Sequence, residues 1–171
     1  VLSVAAIVFF TSQTAWYIVR KRSKLTKAIY YTFVFAMVVP FQMVMFTLSK
    51  TANFLGLDNP LGIVLIYLGF GAPLSVFLFF GFIKSVPLEI EQAAWVDGCG
   101  SVKTFFYVVF PLLKPISTTV AVLNAMWIWN DYLLPYLVLG TDQKTIPVAI
   151  QIAMQGAYGD TDIGGLMAML T

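Results

Sequence analysis

Apolar runs close to the length of a bilayer crossing alternate with short polar segments along this chain. The first run covers about residues 1–19, VLSVAAIVFFTSQTAWYIV, and the pattern predicts others at about 28–48, 61–83 and 115–139, with a further one starting near 163. Each complete run approaches the roughly 20 residues that a helix needs to cross hydrocarbon. Ser3, Thr11, Ser12 and Thr14 fit the first run because their hydroxyls can bond backbone carbonyls or a neighbouring helix. Trp16 and Tyr17 stand at its end, where amphipathic rings favour the headgroup layer. Pro40 predicts a kink in the second run. Gly69, Gly71, Ser75 and Gly81 in the third allow close helix approach, and Gly71 with Pro73 argues against a straight helix there.

Composition extends the same picture. The chain is 60% hydrophobic and 11% charged, with a mean hydropathy of +0.87, against about 25% charged residues in soluble domains. Too few polar side chains exist to clothe a soluble core of this size. The fold class predicted is all-α, a polytopic transmembrane helical bundle. The sequence has no histidine and a single cysteine, Cys99. Histidine-based zinc sites, histidine general bases and an internal disulfide are excluded within it. Residues 1–10 resemble the apolar part of a signal peptide, but no basic segment precedes them and the run continues to residue 19. The expectation is a fragment that lacks a first span and most of a last one.

Charge orients the predicted spans. With the segment after the first run on the cytoplasmic side, alternation places Arg20, Lys21, Arg22, Lys24, Lys27, Lys84, Lys103 and Lys114 inside, and only Lys50 and Lys144 outside. Asp58, Asp142, Asp160 and Asp162 also fall outside. Eight basic residues against two is the positive-inside bias. The basic residues at 20–27 read as topology determinants rather than as a lipid or nucleic-acid site. Met37, Met43 and Met45 read as lipid-facing or packing residues rather than as a metal path.

The cytoplasmic stretch from 84 to 114 contains VPLEIEQAAWVDGCGSVKTFFYVVFPLLKP, which runs on to Pro115. Glu89 and Glu91 favour the start of a short helix, where free backbone donors welcome negative charge. Ala93, Ala94, Trp95 and Val96 make an apolar knob among polar neighbours, and Gly98 and Gly100 can end and redirect the helix. Residues 103–110 predict a second, mostly apolar helix before Pro111 and Pro115. Such a projection suits insertion into a partner's groove. An amphipathic helix on lipid and a solvated linker remain alternatives.

This stretch resembles the Glu-Ala-Ala loop of binding-protein-dependent ABC importer permeases, whose pattern is Glu-Ala-Ala, three residues, Gly, nine residues, then Ile-x-Leu-Pro. Here Gln92, Ala93 and Ala94 occupy the first positions, Gly98 follows after three residues, and Val108, Val109, Phe110 and Pro111 close the pattern. Asp97 before Gly98 matches the Asp-Gly pair frequent in sugar permeases, and WIWNDYLLP at 127–135 is similar to the Trp-Asn-Asp signature of the maltose-type subunit. The resemblance covers residues 1–171 as spans two to five and the start of span six of a six-span subunit. It implies the type I importer permease fold, separate ATPase subunits that hold ATP and Mg, a second and different permease subunit, an extracytoplasmic solute-binding protein, and a sugar as solute. It also implies the cytoplasmic membrane of a bacterium or archaeon. The family's anchoring Glu is Gln92 here, which can hydrogen-bond but lacks charge assistance. Glu91 carries a charge but points about 100° away on a helix.

No Gly-rich segment ending in Gly-Lys-Ser/Thr is present to cradle phosphates, so the chain reads as a permease and not as an enzyme. The coupling residues expected are Glu89, Glu91, Gln92, Ala93, Ala94, Asp97, Gly98 and Pro111. The translocation path or gate is expected at Trp127, Asn130, Asp131, Tyr132 and Pro135. Asp131 is the only acidic residue within the predicted spans, and such groups usually face protein or water. It either caps or braces a helix break near Pro135, or bonds solute hydroxyls beside the stacking rings of Trp127, Trp129 and Tyr132. The Gly71-x-Pro73 bend fits a gate or simple packing. A same-superfamily permease for a non-sugar solute, and less favourably a channel or a stand-alone transporter, are the alternative functions.

Overall fold

The computed structural model describes residues 1–140 and 145–155, and every regular element among them is helical. Helix α1 spans Leu2–Arg20, α2 Lys24–Ala36, α3 Phe41–Phe54, α4 Gly62–Ser85 and α5 Leu88–Val96. Helix α6, Ser101–Thr104, continues as a π-helical turn, Phe105–Val109, into α7, Phe110–Leu112. Helix α8 spans Lys114–Asn130, α9 Leu133–Leu139 and α10 Ile146–Gln155. The predicted run starting near 163, with its Gly164 and Gly165, lies outside the described residues, as do Asp142, Lys144, Asp160 and Asp162.

Local chemistry sets the breaks. Ser23 begins α2 with a reciprocal cap: its hydroxyl accepts from the Thr26 N–H at 3.1 Å, and its own N–H donates to Thr26 Oγ1 at 3.0 Å. The helix therefore starts at Lys24, ahead of the predicted 28. Pro40 does more than kink the second run. It is extended (φ −68°, ψ 137°) and opens α3, because it lacks an N–H and biases Val39 away from helical geometry. Asn59 caps α4, its Oδ1 accepting from the N–H groups of Leu61 and Gly62 at 3.1 and 2.8 Å. Helix α4 then runs unbroken through Pro73, where Ser75 Oγ donates to the Gly71 carbonyl at 2.7 Å. The fourth predicted run is divided: α8 stops at Asn130 and α9 begins at Leu133. The supposed polar segment after 140 holds α10, whose Pro147 sits in the first turn, where its missing N–H costs nothing.

Helices α1 and α4 are each long and apolar enough to cross a membrane alone, and the described residues supply up to four crossings if the bent pairs α2–α3 and α6/α7–α8 each count as one. The second pair bends by 75° around Leu113, between Pro111 and Pro115. Tyr31, Phe35, Phe46 and Leu65 are exposed apolar side chains on these helices. A membrane-spanning bundle presents such side chains to lipid or other subunits, because intrahelical bonds already satisfy its backbone.

The chain forms two compact units. In the first, Val1–Val39 with Tyr67–Ala125, the core is built on Ile7, Ala15, Phe79, Ile83, Val109 and Val120. In the second, Pro40–Ile66 with the described residues from Met126 on, α3 packs on α9. There Ser49 Oγ donates to the Leu137 carbonyl at 2.7 Å, beside the buried Ala52, Leu134 and Val138.

Candidate functional site

Two short helical arms project between α4 and α8. Pro87 precedes α5, and Glu89 and Glu91 occupy its first turn, as the free N–H groups favour. The helix ends in a Schellman turn: the Cys99 N–H donates to the Ala94 carbonyl at 2.9 Å and the Gly98 N–H to the Trp95 carbonyl at 3.0 Å. Gly98 has φ +83°, a left-handed conformation that favours glycine. Gly100 is different. It is extended, at φ −72°, and caps α6.

Beyond Thr104 the second arm departs from the single helix expected at 103–110. Residues Phe105–Val109 widen into a π turn, with the Phe110 N–H donating to the Phe105 carbonyl. Pro111 accounts for the widening, since its ring would clash with the carbonyl four residues earlier in a regular α-helix. Val109 is fully buried, Val108 and Phe110 are half-buried, and Pro111 is exposed.

The faces of α5 are sorted sharply. Glu89, Gln92, Ala93, Trp95, Val96 and Asp97 are exposed, whereas Glu91 and Ala94, three residues apart, are buried. This corrects the expected knob and its acidic rim: Ala94 and Glu91 face inward, and the projecting surface is Gln92, Ala93, Trp95 and Val96. Glu91 is 0% exposed. Its Oε1 receives Arg20 Nη2 at 2.7 Å and Nε at 2.8 Å, and its Oε2 accepts from Trp16 Nε1 at 3.0 Å. Arg20 Nη2 also donates to the Val86 carbonyl at 3.1 Å. The Trp16 ring lies 5.2 Å from that of Phe105 in the π turn. The C-terminal end of α1 therefore holds both arms.

The second expected constellation lies at the α8–α9 break. Asn130 Nδ2 donates back to the Met126 carbonyl at 2.7 Å, and Asp131 Oδ1 accepts from the Leu134 N–H at 3.3 Å. Leu134 and Pro135 are buried, while Trp127, Trp129 and Tyr132 are exposed. The structure thus joins Asp131 to the first turn of α9 and turns Asn130 back on its own helix.

Sequence reasoning missed a further polar contact. Asn124 is nearly buried and donates to Ser75 Oγ at 3.0 Å and to the Val120 carbonyl at 2.8 Å. Its signal was present, as the only amide side chain between residues 115 and 129. Arg20 was read only as a topology charge, and nothing local could pair it with Glu91.

Chemically, these constellations hold helices in place. Among the described residues no three His, Cys, Asp or Glu side chains cluster as metal ligands. Buried polar groups brace helix ends, and one short helix offers an apolar surface flanked by polar side chains.

Comparison with known proteins gives the same picture. The chain is 41% identical over 151 residues to the probable starch degradation products transport system permease protein AmyC of Thermoanaerobacterium thermosulfurigenes, covering 88% of this chain and 55% of the relative. It is 36% identical over 163 residues to the multiple sugar-binding transport system permease protein MsmG of Streptococcus mutans, covering 92% and 58%. It is 36% identical over 178 residues to the melibiose/raffinose/stachyose import permease protein MelC of Bacillus subtilis, covering 98% and 63%. The chain spans little more than half the length of these relatives. Residues 6–171 match the family described as binding-protein-dependent transport system inner membrane component, and the chain belongs to that family.

Proposed function

We propose that this chain is the greater part of a transmembrane permease subunit in an ATP-driven sugar importer, with α5 and the π turn as its coupling element. The observation that carries the reading is the exposed face of α5. Gln92, Ala93, Trp95 and Val96 project from a helix that Gly98 terminates and Glu91 anchors. An apolar surface of this kind, set in a basic-inside loop, fits a groove on a soluble partner better than it fits water. Separate ATPase subunits would bind ATP and Mg, and their closure would displace α5. A second permease subunit would complete the path, and an extracytoplasmic binding protein would deliver the solute. Relatives named for the transport of starch degradation products, multiple sugars and melibiose/raffinose/stachyose support a sugar as that solute. The α8–α9 break at Asp131 serves as a brace or gate on the path, and its exposed rings are suited to apolar sugar faces.

The test is purification of the full-length subunit from its native membrane in mild detergent, followed by reconstitution. Co-purification of an ATPase and a second permease, with sugar uptake that requires ATP and the binding protein, is the expected result. A folded subunit recovered alone and passing solute without ATP would overturn the proposal. Replacing Ala93 by Glu or Arg should abolish coupled uptake while the subunit stays folded.

A further inference from the structure

We infer that Trp16, Arg20 and Glu91 form the joint through which displacement of α5 is passed to the membrane helix α1. The inference rests on the function proposed above and names the positioning residues of its coupling element. Its starting point is an asymmetry in the loop. Glu89 and Asp97 are exposed, but Glu91 is fully buried and both of its oxygens are engaged. Both partners come from the last two turns of α1, four residues apart and so on one face of that helix. Arg20 adds a bond to the Val86 carbonyl, just before α5, so the lead-in and the first turn of α5 are held together. Trp16 adds its ring against Phe105, in the second arm.

Stability alone is a weak reason for such an arrangement, because well-packed apolar residues often serve as well as a buried ion pair. What a guanidinium forked onto a carboxylate adds is direction and register. An apolar contact would let α5 slide across α1 as the partner moved. A carboxylate held from two sides follows its donors, so force on the exposed face of α5 reaches α1 instead of being lost in local slippage. Trp16, Arg20 and Glu91 are thus positioning residues that need not touch the ATPase.

The experiment compares the complete, binding-protein-stimulated transporter carrying Glu91→Gln or Trp16→Phe with the unaltered one. Glu91→Gln keeps the shape and removes the charge. Trp16→Phe removes the N–H donor together with the five-membered part of the indole and keeps a six-membered ring on the Phe105 side. Two readings are taken: solute moved per ATP hydrolysed, and amide hydrogen exchange of residues 92–97 in the resting complex. The expected result for Glu91→Gln is a several-fold loss of solute moved per ATP with hydrolysis retained, and exchange faster by about tenfold or more. Trp16→Phe should shift both in the same direction by less. Unchanged exchange would overturn the joint whatever solute is carried. A proportional loss of hydrolysis and transport in assembled complexes would also overturn it, by assigning the residues to docking. Failure of the unaltered complex to couple ATP to sugar uptake would instead sink the functional proposal and leave the exchange reading to judge the joint.

Discussion

Asn124 and Ser75 share a buried hydrogen bond of 3.0 Å, Asn124 Nδ2 donating to Ser75 Oγ, at a point where α8 lies against α4. Ser75 in turn donates to the Gly71 carbonyl. A Cβ added to Gly71 would lie 2.6 Å from Asn124 Oδ1 and 2.6 Å from Ile7 Cδ1 of α1. Three helices of one unit therefore meet at a residue that must be small.

Gly71→Ala should destabilise the subunit by about 1–3 kcal/mol through overpacking. Gly69→Ala, where nothing lies within 4 Å, should be neutral or stabilising by up to about 1 kcal/mol through helix propensity. A double-mutant cycle on Asn124→Ala and Ser75→Ala should return a coupling of about 0.6 kcal/mol, the usual scale for hydrogen bonds between membrane helices. Reversible denaturation in mixed micelles measures all three.

The two glycines between α5 and α6 should separate on substitution. Gly98→Ala forces an L-residue into left-handed geometry and should cost about 1–2 kcal/mol, with faster exchange at Cys99, whose N–H closes the Schellman turn. Gly100→Ala should stay within about 0.5 kcal/mol, because Gly100 is extended and nothing lies within 4 Å. Thermal unfolding of the two variants in detergent checks the contrast.

Asp131→Ala should loosen the start of α9 by about 0.5–2 kcal/mol, as loss of a capping acceptor does, because the Leu134 N–H loses its 3.3 Å partner. Asp131→Asn keeps an acceptor oxygen and should keep most of that stability. Hydrogen exchange at Leu134 distinguishes the two variants. A selective change in solute affinity with Asp131→Asn would favour contact with solute over bracing.

Gln92 is exposed, so Gln92→Glu should leave the fold undisturbed. On the coupling reading, a carboxylate there converts a neutral hydrogen bond to a charge-assisted one, worth about 1 kcal/mol more. The expected outcome is roughly fivefold tighter association with the ATPase partner, read from detergent-solution binding. Weaker association would argue against Gln92 as a docking contact.

The half-buried thiol of Cys99 offers a direct reading of orientation. A membrane-impermeant maleimide should label it in inside-out vesicles stripped of peripheral subunits and leave it unlabelled in right-side-out vesicles. The reverse pattern would contradict the orientation drawn from the basic residues.

Much of this architecture is local, and local features were legible. The low charge content dictated a helical bundle, because in lipid the backbone must satisfy itself. The glycine at 98 announced the end of α5, and the prolines at 40 and 135 marked disturbed backbone, although the sequence read Pro40 as a kink where the chain breaks outright. The π turn escaped notice because Pro111 admits several ways of relieving one clash, and neighbouring packing selects among them. Helix α10 was read as loop because its apolar residues form too short a run to register as a span.

Which faces meet was decided only by tertiary structure. Membrane helices that are apolar almost all round carry little periodic signal to show which side turns inward. A carboxylate in the first turn of a loop helix looks like surface charge until Arg20, 71 residues earlier, and Trp16, 75 residues earlier, are brought against it. Asn124 becomes meaningful only beside Ser75, 49 residues away. The sequence by itself determined the medium, most of the helical segments and the turn at Gly98, because those follow from each segment's own chemistry. The tertiary structure decided which charges anchor and which are exposed, because a buried polar group takes its role from the partner that desolvation obliges it to find.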